Sequence, residues 1–349
     1  MRVALVCPYA LDAPGGVQDQ VFRLSGWLGD LGHETTIIGP AFEPVEGATV
    51  VGVPTVVRAN DSTAPVALDP RIASEVREAV AGIDVVHIHE PLVPVVSLTA
   101  TRVADQPTVG TFHADASKGV RRTLKVAAPV TRAVTSRLDV KTAVSAVARR
   151  SVERLKDVRI IPNGIDIDDY HPGEKRSNSV VFLGRDDPRK GLDVLLDAWP
   201  GIRSSAPYAT LDVLGARRDV EIEGVRFHGR VDDRTKQEVL SRSAVYVAPN
   251  LGGESFGIVL AEAMASGCAV VASAIPAFVK VLGDAGALVP VGDARALASA
   301  VATLLADGTR RSALGAAAVS RVHAYDGHVV AGQYAQAYED AIEMHGLRS

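Results

Sequence analysis

Pro249-Asn250-Leu251-Gly252-Gly253-Glu254-Ser255-Phe256-Gly257-Ile258-Val259-Leu260-Ala261-Glu262-Ala263-Met264-Ala265-Ser266-Gly267 lies between two short apolar runs, 245–248 and 269–272. An apolar run, a Gly-rich turn, a helix-length segment of small and apolar residues and a second apolar run make one strand–turn–helix–strand unit. Such units belong to α/β domains with buried parallel strands. The glycines permit backbone conformations barred to other residues. A turn of this kind aims free backbone N–H groups and a helix dipole at one point, which suits an anion or a sugar hydroxyl. Glu254 lies in the turn. Glu262 follows about two helical turns later, on the same side where the turn is regular. Two glutamates on a helix usually face solvent, but these are flanked by glycines and small residues, which favours binding.

Working outward, the same alternation covers the chain. In the first half, strands are expected at 2–6, 35–38, 49–53, 84–88, 108–112, 140–144 and 159–161, with helices at 16–31, 69–81, 118–137 and 146–156. Pro162-Asn163-Gly164 and a polar stretch through 175–178 interrupt the pattern. A second series has strands at 179–183, 210–214, 225–228, 245–248, 269–272 and 287–289, with helices at 191–198, 233–241, 256–266, 294–306 and 310–322. The expected division is residues 1–163, residues 164–326 and a terminal helix in 327–349. That helix carries Val329, Val330, Tyr334, Ala337, Tyr338, Ala341 and Ile342 at helical spacing and precedes no strand. Two doubly wound domains present their strand C-termini to ligands.

A chain of 349 residues is too long for one ordinary core. Apolar residues make up 47% and charged residues 22%, a soluble balance, and a net charge of -4 provides no global field for nucleic acid or anionic lipid. No apolar run is long enough to span a bilayer, and the first strand leaves no room for a leader, so a cytoplasmic location is expected. The two cysteines, Cys7 and Cys268, sit at apolar strand edges and read as small buried side chains.

Four further loops carry chemistry. Pro14-Gly15-Gly16-Val17 fits a tight strand-to-helix turn as well as a close ligand approach, and it is not a G-x-G-x-x-G dinucleotide fingerprint. Gly184-Arg185-Asp186-Asp187-Pro188-Arg189-Lys190-Gly191 places three cations at a strand end. Arg185 can grip a diphosphate bidentately and Lys190 can add a point charge. In Val231-Asp232-Asp233-Arg234-Thr235-Lys236 one aspartate caps the next helix, and a base-edge contact is open to the other. Thr111-Phe112-His113 ends a strand, where a histidine is as readily structural as functional. His87 and His89 alternate on another strand without a paired metal-ligand motif.

These elements together resemble the retaining GT-B glycosyltransferases of family 4, and within it the actinobacterial branch that mannosylates phosphatidylinositol. The likeness rests on Val6-Cys7-Pro8-Tyr9, Pro14-Gly15-Gly16-Val17-Gln18, His87-Ile88-His89-Glu90-Pro91, Thr111-Phe112-His113, Ile161-Pro162-Asn163-Gly164, the loop 185–191, Val231-Asp232-Asp233 with Lys236, and the stretch 252–264. It covers nearly the whole chain. It implies two Rossmann-like domains facing across a cleft, with the last helix crossing back to the first. It implies GDP-mannose as sugar donor, with Gly16, Arg185 and Lys190 on the diphosphate and Val231, Asp233 and Lys236 around the guanine. Glu254 and the backbone N–H groups of Phe256, Gly257 and Ile258 would hold the mannose, and Glu262 the ribose. His113 would lie beside the reacting sugar, and Tyr9, Gln18 and Lys118 on the acceptor side. The resemblance requires no cofactor, and a divalent ion is compatible with it but not implied.

One departure concerns the acceptor. Members of that branch carry a basic amphipathic helix, whereas Asp69-Pro70-Arg71-Ile72-Ala73-Ser74-Glu75-Val76-Arg77-Glu78-Ala79 is nearly neutral and predicts weak membrane-surface contact at most. Lys118, Arg121, Arg122 and Lys125 form a different basic run, either a substitute patch or a solvated face. Three functions stay open: mannosylation of phosphatidylinositol at the inner membrane face, a related transfer from another nucleotide-sugar or to a soluble inositol-type acceptor, and nucleotide-sugar binding without turnover. Intact Arg185, Lys190, Glu254 and His113 argue against the last.

Overall fold

The computed structural model describes residues 1–59, 62–114 and 128–348. The chain divides into two compact units, Met1–Gly164 with Gly327–Ser349, and Ile165–Asp326.

The first unit is built on β1 (Arg2–Val6), β2 (Glu34–Gly39), β3 (Ala48–Val50), β6 (Val85–His89), β7 (Thr108–Phe112), β8 (Val140–Ala143) and β9 (Val158–Ile160). These form a parallel seven-stranded sheet in the order β3-β2-β1-β6-β7-β8-β9. The central strands β1, β6 and β7 are buried almost throughout because both faces are covered, whereas the edge strands β3 and β9 are mostly exposed. One face packs Val3, Leu5, Trp27 and Leu28 against Val330, Tyr334 and Tyr338 of the terminal helix Gly327–Gly346. Val329 and Ile342, which share that helix's apolar spacing, point to solvent instead. The other face packs Ala4, Val6 and Ile88 on Val76, Val96 and Ala100.

The second unit holds β10 (Arg176–Leu183), β11 (Thr210–Leu214), β12 (Val225–Gly229), β13 (Ser243–Ala248), β14 (Ala269–Ser273) and β15 (Ala287–Val289). They form a parallel six-stranded sheet in the order β12-β11-β10-β13-β14-β15. Trp199, Leu195, Leu211, Val245 and Leu304 are among the side chains of its core.

Both sheets reverse their winding once, between β1 and β6 and between β10 and β13. At such a switch point the two adjacent loops leave in opposite directions and open a crevice at the strand C-termini. The loops that follow β1, β10 and β13 contain Tyr9, Arg185, Lys190, Glu254, Phe256 and Gly257.

Several elements differ from the sequence expectation. Pro54–Ala59 and Ser62–Ala67 pair as an antiparallel hairpin, β4 and β5, that the apolar pattern does not reveal. Helices at Val96–Val103 and Pro276–Leu282 were also not expected. The helix Leu192–Ser205 runs through Pro200, beyond the expected end at 198. Pro200 removes one intrahelical hydrogen bond, but burial of Trp199 and Ile202 on either side holds the helix. The segment 69–79 is a 3-10 turn, Pro70–Ile72, followed by a short helix, Ala73–Ala79. Of the helix expected over 118–137, the described part is Ala128–Thr135. Lys118, Arg121, Arg122 and Lys125 lie outside the described residues. Both cysteines are buried and free, and among the described residues no helix is long and apolar enough to cross a membrane.

Candidate active site

In the second unit, the loop after β10 meets the loop after β13. Lys190 Nζ donates to Glu254 Oε2 at 2.7 Å, Asn250 Nδ2 donates to the same oxygen at 3.3 Å, and the Leu251 amide donates to the Arg189 carbonyl at 2.8 Å. Asp187 accepts from the Arg189 amide and guanidinium, which shapes the basic loop from within. Arg185 is solvent-exposed and, among the described residues, forms no side-chain ion pair. It is therefore available to an incoming anion.

Glu254 does not belong to the helix. Gly252, Gly253 and Gly257 all take positive φ, and the helix begins at Ile258, so regular helical projection does not extend back to Glu254. Both carboxylates act on one buried group: after burial itself, Glu262 and then Glu254 raise the Tyr246 phenol pKa well above its ordinary value. The helix Ile258–Ala265 has no side-chain cap at Gly257, and its first-turn N–H groups point toward the Gly-rich turn. Phe256 is buried edge-on against Tyr325 and fixes the turn.

Glu262 is buried and sits at a second junction. Its Oε1 accepts from the Tyr170 hydroxyl at 2.7 Å and from Lys236 Nζ at 3.0 Å. Lys236 also pairs with Asp233 at 2.9 Å. Burial pulls the Lys236 ammonium pKa down, but Glu262 and Asp233 outweigh it and the net shift is upward. Asp232 is the aspartate that caps the helix Asp233–Arg242, accepting from the Thr235 amide at 2.7 Å. The largely exposed Asp233 is left to other contacts, and Val231 stands half-buried beside it. Glu262 Oε2 is buried with no hydrogen-bond partner among the described residues. An unpaired buried carboxylate oxygen is costly, and a ligand hydroxyl would satisfy it.

In the first unit, Gly16 opens the helix Gly16–Asp30, and a Cβ added there would meet no described atom within 4 Å. Gln18 donates to the Ala10 carbonyl at 3.1 Å, so its amide nitrogen is engaged within the loop after β1. Tyr9 lies in the same loop. Burial, then Glu90, then Cys7 raise its phenol pKa well above the ordinary value.

His113 is buried at the end of β7 and held at two points. Its amide and that of Ala114 each donate to Glu90 Oε1 at 2.7 Å, and its Nε2 shares a 2.8 Å hydrogen bond with His89 Nδ1. Burial lowers the His113 pKa to about 3, so the ring is neutral at pH 7. Glu90, whose own pKa burial raises against those two amide bonds, adopts φ 49, and Val95 in the same loop adopts φ 65. Strained non-glycine backbone of this kind gathers at functional sites. The sequence pointed to His113 but not to the grip of His89 and Glu90 on it, nor to Tyr170 and Asn250. The quoted run His87-Ile88-His89-Glu90 held the signal for the first two. Among the described residues, no group of three or more His, Cys, Asp or Glu side chains is placed to hold a metal ion.

Two switch-point loops joined around a Lys–Glu pair, the start of the helix Ile258–Ala265 and an orphaned carboxylate oxygen on that helix are groups that can receive an anionic, hydroxyl-rich ligand. The fold is that of a GT-B glycosyltransferase: the UDP- and glucose-bound structure of HepE from Anabaena superposes with a TM-score of 0.76 over 97% of this chain and 99% of that one, at 17% identity. A model of Glycosyltransferase Family 4 matches residues 14–169, and a model of glycosyl transferases group 1 matches residues 177–307. The chain belongs to the family 4 glycosyltransferases. It is 41% identical to the phosphatidyl-myo-inositol mannosyltransferase of Mycolicibacterium smegmatis, over 97% of this chain and 94% of that protein. It is also 30% identical to the D-inositol 3-phosphate glycosyltransferase of Corynebacterium aurimucosum, over 75% of this chain and 72% of that protein.

Proposed function

We propose that the protein transfers mannose from GDP-mannose to the inositol ring of phosphatidylinositol, with retention, at the inner face of the cell membrane. The observation that carries the nucleotide-sugar site is the orphaned Glu262 oxygen within the Lys236–Glu262–Tyr170 junction, in the same unit as the Lys190–Glu254 pair. The likeness to the M. smegmatis protein supports the choice of sugar and acceptor. In this reading Glu262 takes the ribose hydroxyls, and Asp233, Val231 and Lys236 surround the guanine. Arg185, Lys190 and the Gly16 turn hold the diphosphate. Glu254 and the amides of Phe256, Gly257 and Ile258 hold the mannose, and His113 meets the sugar. Tyr9, Gln18 and Lys118 belong to the acceptor side.

The bond from the anomeric carbon to the diphosphate breaks, and the bond to the acceptor oxygen forms on the same face. The departing diphosphate takes the acceptor's proton. Arg185 and Lys190 stabilise the charge that develops on that diphosphate, the largest catalytic effect in such a mechanism. No cofactor or metal ion is required by this scheme. The membrane contact is weak, because Asp69 and Arg71 neutralise each other through paired hydrogen bonds.

That same neutral segment favours a second reading, in which the acceptor is a soluble inositol phosphate, as the C. aurimucosum protein's name says of it. Radiolabelled GDP-mannose separates the two. Label entering lipid only with phosphatidylinositol vesicles supports the first. Label entering inositol phosphate, and not lipid, supports the second. Transfer from UDP-glucose in preference to GDP-mannose contradicts the choice of sugar donor in both.

A further inference from the structure

Three histidines lie buried together in the first unit. His87 and His89 stack at 4.2 Å, and His89 stands 5.1 Å from His113, centroid to centroid. His87 is satisfied at both nitrogens, by the Tyr338 hydroxyl at 2.8 Å and by Thr111 Oγ1 at 2.6 Å, and Thr111 in turn bonds Thr142 at 2.6 Å. Tyr338 belongs to the terminal helix, so that helix fixes the floor of the cluster. His89 differs. Its Nδ1 engages His113 Nε2, while its Nε2 is buried with no hydrogen-bond partner among the described residues.

That orphaned atom decides where the shared proton sits. A neutral imidazole carries one N–H and one bare nitrogen. If His113 donated from Nε2, His89 would have to carry its own proton on Nε2, as a buried N–H with no acceptor. If His89 donates from Nδ1, its Nε2 is a bare lone pair, and buried under-satisfied acceptors are less rare than orphaned N–H groups. The second arrangement leaves His113 with its proton on Nδ1. We propose that His89 is a positioning residue for the transfer: its Nδ1–H fixes His113 in the Nδ1–H tautomer, so that His113 meets the sugar as a hydrogen-bond donor and not as a base. Glu90 holds the backbone of the same residue, so ring and main chain are set from two adjacent positions at the end of β6. The burial that keeps all three rings neutral makes the tautomer, and not the charge, the property to be controlled.

The proposal rests on the reading that His113 meets the transferring sugar, but its first test does not depend on activity. In the full-length protein labelled with 15N-histidine, the His113 ring should show its proton on Nδ1 and a bare Nε2. His89→Asn keeps an N–H donor at the Nδ1 position and should preserve that pattern. His89→Leu removes it and should give a tautomer mixture. The same series should show kcat for mannose transfer lowered about tenfold in His89→Leu with KM nearly unchanged, and largely restored in His89→Asn. A wild-type spectrum with the proton on His113 Nε2 overturns the proposal. So does a His89→Leu protein with unaltered His113 resonances and unaltered kcat. If His89→Leu fails to fold, the wild-type and His89→Asn spectra decide. If His113→Ala transfers mannose at the wild-type rate, the role of His113 in transfer fails, and the spectra still settle the tautomer.

Discussion

Lys190 and Glu254, 64 positions apart in sequence, form a 2.7 Å ion pair that ties the loop after β10 to the loop after β13. Both side chains remain partly exposed, at 28% and 21%. Pairs of this kind contribute about 0–1 kcal/mol to stability. Lys190→Met should therefore leave the melting temperature within a few degrees of wild type, while transfer falls by about a hundredfold through loss of charge at the leaving diphosphate. A variant that melts far earlier would make the pair a structural brace instead.

Two glycines should separate fold from function in opposite ways. Gly191 has φ +71, and a Cβ there would run into the Pro249 carbonyl. Gly191→Ala should thus destabilise the protein by roughly 1–3 kcal/mol, read as a lower denaturation midpoint. Gly16 has neither constraint. Gly16→Ala should keep or raise stability by about 0.4–1 kcal/mol and yet weaken GDP-mannose binding. Unchanged binding would remove Gly16 from the diphosphate site.

Glu262→Gln replaces the orphaned acceptor with an N–H donor or removes the charge facing Lys236. GDP affinity should fall about tenfold to a hundredfold. The 2′-deoxy and 3′-deoxy nucleotides should show which ribose hydroxyl is involved, by binding wild type weakly and the variant no worse than GDP does. Calorimetric titration gives both comparisons. Equal affinity of GDP for wild type and variant would contradict the ribose assignment.

The histidine cluster predicts acid sensitivity. His87 and His113 are lowered to about 3, and His89 well below its ordinary value, all by burial first. Between pH 6.5 and about 3 the unfolded chain binds protons that the folded chain refuses. Stability is therefore fully present above pH 6.5 and is lost as the pH falls. The loss from pH 7.5 to 5 is roughly 2 kcal/mol for His87 and for His113, and His89 acts in the same direction. Glu90, raised by burial, acts in the opposite sense, its contribution being lost as pH rises through its folded value. Urea midpoints should drop between pH 7.5 and 5, and less so in His87→Gln. A flat profile would mean the rings are hydrated.

Much of this was legible in sequence, for physical reasons. A parallel strand covered on both faces is a continuous apolar run, which is why β13 and β14 stand out. A loop at such a strand's end announces itself by glycines and charges, as 184–191 and 249–257 do. Which of Asp232 and Asp233 caps the helix was open, and the Thr235 amide answers it. The β4–β5 hairpin was hidden by prolines and polar residues, and the helix past Pro200 by a residue whose cost is outweighed by Trp199. The His89–His113 bond was hidden because nothing in a spacing of 24 positions specifies that two parallel strands will bring those rings together. The same holds for Tyr170 and Glu262, 92 positions apart.

The most direct test is mannose transfer from radiolabelled GDP-mannose to phosphatidylinositol vesicles by wild type and Glu254→Ala at matched melting temperature. The account predicts labelled lipid with wild type and a rate lowered by about a hundredfold or more in the variant. Undiminished transfer by Glu254→Ala would contradict it.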